Sequence, residues 1–303
     1  MMGLVLYNTA CGIYQALGDS RRPLFYLIIS SLANVIMDFL FVAVFDWGVG
    51  GAALATVLGQ LLSAILAFAH LMSGKFVVQI KLRRLLPDRR ILGQVFRLGL
   101  PSGVQNSVIA FANVIVQSHI NGFGDAAMAG CGSYSKIEGF VFLPIMSLTM
   151  AMTTFIGQNL GAQQPDRARS GARQGTIIAV ILAELIGVVV FIFAPQLIGI
   201  FSKTEEILNF GVRQARVESL FFCFLAMSHC CAAILRGCGR TTMPMMVMLL
   251  TWCLLRIVYI TVVLHFIYDI TVVFTAYPLT WSVSTIIFIV ALKKKDWTQN
   301  AKL

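Results

Sequence analysis

The chain has 303 residues, of which 58% are hydrophobic and only 12% are charged, about half the charged fraction of a soluble domain. Its net charge of +10 comes from basic residues that lie between apolar runs, which argues against a nucleic-acid-binding face. The seven cysteines show no CxxC or Cys/His metal spacing, so we interpret them as small apolar residues. Continuous apolar runs of about 20 residues instead predict membrane-spanning helices.

These apolar runs predict one short helix and eight full spans in an all-α polytopic membrane protein. Residues 1–17 are too short for a comfortable span. The full spans are expected at 24–45, 51–73, 98–121, 126–157, 176–201, 217–236, 244–266 and 271–292. The short connections between them favour the bacterial cytoplasmic (inner) membrane as the location of this multi-pass chain.

Lysine and arginine are distributed unequally between the two ends of the spans. When successive loops are assigned to alternate sides, eighteen of the 23 basic residues fall on one side. The opposite side has only Lys203, Arg213 and Arg216. Since cytoplasmic loops carry the excess of Lys and Arg, the sequence predicts a cytoplasmic C-terminus.

Two short stretches repeat the same pattern at a constant distance. Ala10–Pro23 and Cys231–Pro244 each contain the end of an apolar helix, a glycine turn, a hydroxyl residue and a proline that opens the next run. Gly18 and Gly239 are 221 residues apart, as are the two prolines. This offset predicts two units of six spans, related by an axis along the membrane normal, and about 130 further residues before Met1.

Several motifs, in order along the chain, resemble those of the multidrug and toxic compound extrusion (MATE) transporters. They are Gly18–Pro23 (GDSRRP), Asn34 with Asp38, Trp47–Thr56 (WGVGGAALAT), Gly99–Gly103 (GLPSG), Ser135–Phe140 (SKIEGF), Phe155–Ala162 (FIGQNLGA) and Leu235–Gly239 (LRGCG). Each motif is weak alone, but their shared order and spacing make the resemblance specific.

The resemblance implies two parallel six-helix lobes, of which the N-terminal lobe is incomplete here. Residues 1–74 would be the end of that lobe, 75–97 a cytoplasmic basic linker, 98–295 the C-terminal lobe and 296–303 a cytoplasmic tail. It further implies a transporter rather than an enzyme, with no cofactor beyond a coupling ion, Na⁺ or H⁺. Cationic, amphipathic small molecules would be its substrates and membrane lipid its surroundings, and the complete protein would be a monomer.

This sequence departs from the family at positions that matter for the coupling ion. The aspartate that many relatives carry in the first span would precede residue 1. The seventh span, at 98–121, contains no carboxylate, and His229 stands where some relatives have an acid in the tenth span. The choice between Na⁺ and H⁺ therefore stays open at this point.

Ionisable residues inside apolar spans are costly unless paired and are therefore candidates for ion coupling. Lys136 and Glu138 lie deep in one span, and we expect both to face the protein interior, either as a titratable site or as a structural network. His229 could carry a proton or be a satisfied core group. Arg256 needs a partner, for which Glu184 is a candidate.

Further polar residues complete the predicted site. Asp38 follows Asn34 by one helical turn and could line a cavity or pack between helices. Glu218, near a span end, is expected to be interfacial. A polar face on the span at 98–121 predicts a cavity wall, with adhesion between helices as the alternative. The predicted lining residues are Gln105, Asn106, Asn113, Gln117 and Tyr134.

Two other functions are compatible with this pattern. One is a flippase for lipids or lipid-linked oligosaccharides from a related superfamily, since such proteins also combine many spans with cationic cavities. The other is a truncated, non-functional product, since an incomplete lobe cannot bury its polar face as a six-helix bundle does.

Overall fold

A computed structural model describes residues 2–73, 88–294 and 296–298, which fold into α-helices joined by short turns without a β-strand. The helices are α1 (Met2–Ala16), α2 (Arg21–Asp38), α3 (Gly48–Met72), α4 (Arg89–Asn121), α5 (Asp125–Gly161), α6 (Pro165–Gly199), α7 (Glu205–Ser219), α8 (Phe222–Gly237), α9 (Thr242–Met248), α10 (Arg256–Phe266) and α11 (Thr271–Lys294). Two π-helical segments, Phe39–Val44 and Leu249–Leu255, extend α2 and join α9 to α10. The predicted all-α class is confirmed.

The number of apolar spans is slightly lower than predicted. Within the described residues, six helices are long and apolar enough to cross a membrane, or seven when α7 and α8 are taken as one bent span. Helix α4 forms where a span was expected at 98–121, but it is not among the six. The polar side chains along α4 lower its mean hydropathy, and this accounts for the difference.

The described chain divides into two compact units, Met1–Asp88 and Arg89–Leu303. In the first unit, α1 packs against α3 around buried residues that include Tyr14 and Leu71. In the second unit, α5, α6, α7, α8 and α11 surround the largest buried cluster. Of the predicted basic linker, residues 75–87 lie outside the described residues and Arg89–Arg97 form the first turns of α4.

The repeated turn has the same geometry in both copies. Gly18 has φ 80° and Gly239 has φ 73°, the left-handed region in which a side chain is disfavoured. In each copy, the residue after the glycine donates its N–H to the carbonyl oxygen four residues before the glycine, at 2.9 Å. This is the Schellman arrangement that ends a helix. Helices α1 and α8 also end 221 residues apart, so the two stretches share one backbone geometry at the predicted offset, and their origin by duplication stays a prediction.

The predicted span 217–236 begins too late, because the segment before it is helical and not a loop. Helix α7 starts at Glu205, and α7 and α8 meet at Leu220 and Phe221 with a bend of 55°. The polar residues of α7 conceal a helix when mean hydropathy alone is considered. One face of α7 is nevertheless buried, including Ala215, and packs against α5 and α6.

Helices α5 and α7 approach closely at a pair of glycines, Gly130 and Gly211. A Cβ atom added to Gly130 would lie 2.5 Å from the carbonyl oxygen of Ile207 and 3.0 Å from the amide nitrogen of Gly211. Both are backbone atoms, so neither can move without shifting α7. Small residues are the usual means by which membrane helices pack tightly, and this contact positions α7 against α5.

The substitution Gly130→Ala should therefore destabilise the protein, by about 1–3 kcal/mol, because overpacking must displace a helix backbone. Thermal unfolding in detergent measures the effect. The matched control is Gly132→Ala on the same helix, where an added Cβ would meet no atom within 4 Å. Equal losses of stability in the two variants would contradict the close approach.

A short segment after α11 returns to α6. The Asp296 carboxylate accepts a hydrogen bond from the Arg169 guanidinium at 2.6 Å, and the same guanidinium contacts the Thr298 hydroxyl at 2.7 Å. The hydrogen bond from Thr298, together with Arg169, lowers the pKa of Asp296 to about 2. Residues 299–303 of the predicted tail lie outside the described residues.

Candidate functional site

A cluster of charged side chains lies inside the second unit, where the bend between α7 and α8 faces α5. Glu218, in the last turn of α7, is 0% exposed, so the expectation of an interfacial position is wrong. Its carboxylate accepts a hydrogen bond from the Tyr134 hydroxyl at 3.2 Å and another from the Gln214 amide at 2.9 Å. Both carboxylate oxygens therefore have a donor, which is the condition for burying such a group.

Arg256 supplies the positive charge of this region. It begins α10, is 2% exposed and donates a hydrogen bond from its guanidinium to the Thr280 hydroxyl at 2.9 Å. The guanidinium also lies over the Tyr277 ring, 4.2 Å from the ring centroid, in a cation–π contact. Its Nε atom has no hydrogen-bond partner, and it forms no ion pair with a carboxylate of the described residues.

Glu138 on α5 is the third member of what we call the acid–arginine cluster, Glu138, Glu218 and Arg256. It is half-buried and lies one helical turn after Tyr134, whose hydroxyl donates to Glu218. With both carboxylates ionised, the cluster has one negative charge more than it has positive charges. An uncompensated charge in an apolar interior is unfavourable.

Lys136 does not join the cluster and does not point into the interior of the second unit, and its role in ion coupling or in a cavity stays a prediction. Its side chain is exposed, and its ammonium lies over the Phe201 ring, 5.0 Å from the centroid. Two residues along an α-helix correspond to a rotation of about 200°, so Lys136 and Glu138 point to different sides of α5. The long lysine stem allows the ammonium to reach past the end of α6.

Glu184 does not pair with Arg256 either, because it caps a helix. Its carboxylate on α6 accepts a hydrogen bond from the backbone N–H of Cys223 at 3.1 Å, in the first turn of α8. The first N–H groups of a helix lack partners within the helix and carry partial positive charge, so a carboxylate stabilises this end. Glu184 thereby holds the bend between α7 and α8 next to the cluster.

His229 is 6% exposed and lies on α8 between aromatic rings. The Trp252 and Phe142 rings contact it edge-on, with centroids 5.2 and 5.9 Å away, and neither imidazole nitrogen has a hydrogen-bond partner. In the first unit, Asp38 is half-buried at the end of α2, and its Oδ1 atom and the Asn34 amide nitrogen are both buried without partners. The coupling roles of these residues stay predictions.

The predicted polar face of α4 is divided between buried and exposed positions. Gln105 is buried against α9, where its amide contacts the Met248 sulfur at 2.8 Å. Asn106 and Asn113 are exposed, and the half-buried Gln117 donates to Asn121. The fifth predicted lining residue, Tyr134, is fully buried on Glu218. A cavity wall formed by Asn106 and Asn113 stays a prediction.

Sequence reasoning missed the residues that surround the cluster, although two signals indicate them. Gln214 and Glu218 are four residues apart, so they lie on one face of α7 directly before an apolar run. Tyr277, Thr280 and Ser284 recur at helical spacing on α11, and the last of them accepts a hydrogen bond from the Trp252 indole at 3.1 Å. Both polar faces turn towards the interior of the second unit.

The apolar helices and the buried charges define a multi-pass α-helical membrane protein with ionisable groups inside its helices, where such groups usually serve function. The family model described as MatE matches residues 101–262, and the chain belongs to this family. The match covers α5 to α9 and reaches into α10, which includes all three residues of the acid–arginine cluster.

Similar proteins agree with this assignment. The chain is 26% identical to the probable multidrug resistance protein YpnP of Bacillus subtilis (strain 168), over 82% of this chain and 56% of that protein. It is also 26% identical to the probable multidrug resistance protein NorM of Thermotoga maritima, over 81% of this chain and 54% of that protein. The chain thus spans about half the length of these curated relatives.

Solved structures share the fold. A MATE structure in the bent conformation superposes with a TM-score of 0.89 at 20% identity, covering 99% of this chain and 67% of that one. A transporter of the MOP superfamily from Pyrococcus furiosus superposes with a TM-score of 0.90 at 21% identity, covering 98% of this chain and 67% of that one. In that transporter, the reverse polarity of the binding pocket suggests a different function.

Proposed function

We propose that this chain forms part of a secondary active exporter of organic cations and drugs, driven by inward movement of H⁺ or Na⁺ with alternating access. The observation that supports the proposal most directly is the acid–arginine cluster, which has an excess negative charge inside a unit of the MatE family. The names of the multidrug resistance relatives support the substrate class.

The position of the cluster suggests how a cation could be coupled to a conformational change. Glu218 lies in the last turn before the bend of 55°, and Glu184 caps the helix that follows the bend. Cation uptake at Glu218 or Glu138 removes the excess charge, and it therefore favours whichever state of the bend holds the two carboxylates closer together. A ligand shifts a conformational equilibrium only by its difference in affinity between states, and this charge supplies such a difference.

The test is transport by the complete protein in proteoliposomes, with a fluorescent organic cation as substrate. We expect movement of the dye against its gradient when an inward gradient of H⁺ or Na⁺ is imposed, and collapse of that movement when an ionophore dissipates the gradient. Dye movement that is unaffected by both gradients would overturn the proposal. Movement of fluorescent phospholipids between leaflets without any dye transport would favour the flippase instead.

A further inference from the structure

A second feature of the C-terminal unit lies apart from the acid–arginine cluster, on the exposed side of α7. Here the chain forms an open cleft of about 640 Å³. Its lining combines two guanidinium groups with apolar side chains: Arg213, Arg216, Val212, Val217, Leu220 and Phe221. The proposed transport mechanism makes no use of these residues.

The cleft has one positive charge that no acidic group of the described chain compensates. Arg213 forms an ion pair with Asp269 at 3.1 Å, and both side chains are about half exposed. Arg216 is exposed and forms no ion pair within the described residues; its guanidinium lies over the Phe191 ring at 5.8 Å. An anion placed beside Arg216 would therefore meet a guanidinium whose donors are available.

The depth of Arg216 is given by its neighbour Arg213. Arg213 pairs with Asp269, which lies in the connection between α10 and α11. This connection joins the ends of two apolar spans, and such an end marks the border between hydrocarbon and lipid headgroups. Arg216 follows Arg213 by three residues, about 4.5 Å of helix rise, so it can hold its charge at the headgroup level while its stem contacts the acyl region.

The apolar side of the cleft continues from this border. Leu220, at the bend after α7, is 51% exposed, and Val217 and Phe221 are half-buried beside it. An inorganic anion would gain no binding energy from this apolar surface. A molecule with a negatively charged head and a hydrocarbon chain would satisfy both parts of the cleft, and in a membrane that molecule is a lipid.

We propose that the cleft on α7 binds an anionic phospholipid, with the headgroup phosphate on Arg216 and Arg213 and an acyl chain along Val217, Leu220 and Phe221. Both the charge and the apolar lining are required, so zwitterionic lipid and free phosphate should each bind less well. This proposal does not depend on the proposed export activity.

Native mass spectrometry of the purified complete protein in detergent tests the assignment, with phosphatidylglycerol and phosphatidylcholine as probes. We expect one phosphatidylglycerol molecule to bind about tenfold more tightly than phosphatidylcholine, the order of effect given by one or two arginines at a membrane surface. Arg216→Gln should remove this preference. Lys203→Gln, which removes an exposed cation outside the cleft, should retain it.

Further variants and a competition experiment distinguish the contribution of charge from that of apolar packing, and lipid phosphate from free phosphate. Arg216→Lys should keep most of the preference, since it keeps the charge, and Leu220→Gln should weaken binding of both lipids. Equal binding of the two lipids by the unmodified protein would overturn the proposal, as would equal losses in Arg216→Gln and Arg216→Lys. Displacement of phosphatidylglycerol by millimolar inorganic phosphate would identify an anion site that does not recognise lipid.

Discussion

The substitution Arg256→Met should destabilise the protein by about 2–3 kcal/mol, because it removes the hydrogen bond to Thr280, the contact with the Tyr277 ring and the only positive member of the acid–arginine cluster. Glu218 is fully buried and Glu138 half-buried, so their carboxylates would then share one apolar interior without a cation. The double variant Arg256→Met/Glu138→Gln should recover much of the loss, since it removes one of the two negative charges. Recovery in the double variant is the feature that distinguishes charge balance from a simple packing defect.

Thermal unfolding followed with a thiol-reactive dye suits this measurement, because all seven cysteines are buried or half-buried and become reactive on unfolding. Arg167→Met, at an exposed position of α6, is the matched control and should change stability by no more than about 0.5 kcal/mol. If the double variant is no more stable than Arg256→Met, the electrostatic coupling of Glu138 to Arg256 is contradicted.

The parts of the fold that follow from local sequence were predictable. The turn at Gly18 and its copy at Gly239 carry the same glycine and the same order of flanking residues, and backbone geometry alone requires a glycine at such a position. The apolar runs of α2, α3, α6 and α11 likewise place these helices, because only a helix satisfies its backbone in hydrocarbon.

The bend between α7 and α8 was not predictable in the same way. Mean hydropathy treats the residues of α7 as a loop, since Arg213 and Arg216 lie on its exposed face. The burial of its other face depends on close contact with α5 through Gly130, a contact between residues distant in sequence. The same misassignment placed Glu218 at a membrane interface instead of inside the unit.

Side-chain direction also decides which of the predicted interior charges the structure buries. Glu138 and Arg256 were expected to be interior charges, and the structure buries Arg256 and half-buries Glu138. Lys136, two residues from Glu138, turns outward, and the Glu184 carboxylate meets a backbone N–H instead of a guanidinium. Periodicity gives the face of a helix, whereas the neighbour of that face depends on tertiary packing.

The second large effect concerns transport. Glu218→Gln in the complete protein should lower ion-driven efflux at least about tenfold, because the amide cannot gain or lose charge and the cation loses its difference in affinity between states. The structural cost should be modest. Tyr134 and Gln214 both donate to the carboxylate, so the amide keeps one acceptor oxygen and the protein loses about 1 kcal/mol.

Lys136→Gln is the control for this prediction. It also removes one charge, but from an exposed position of α5, the helix that packs against α7. It should leave efflux within about twofold of the unmodified protein, the scale of a surface substitution. The measurement is dye efflux under an imposed H⁺ or Na⁺ gradient. The two variants are compared with the unmodified protein after their melting temperatures have been shown to be similar. Full activity of Glu218→Gln would remove the cluster from the coupling mechanism. A loss confined to Lys136→Gln would instead return coupling to the lysine that sequence reasoning placed in the interior.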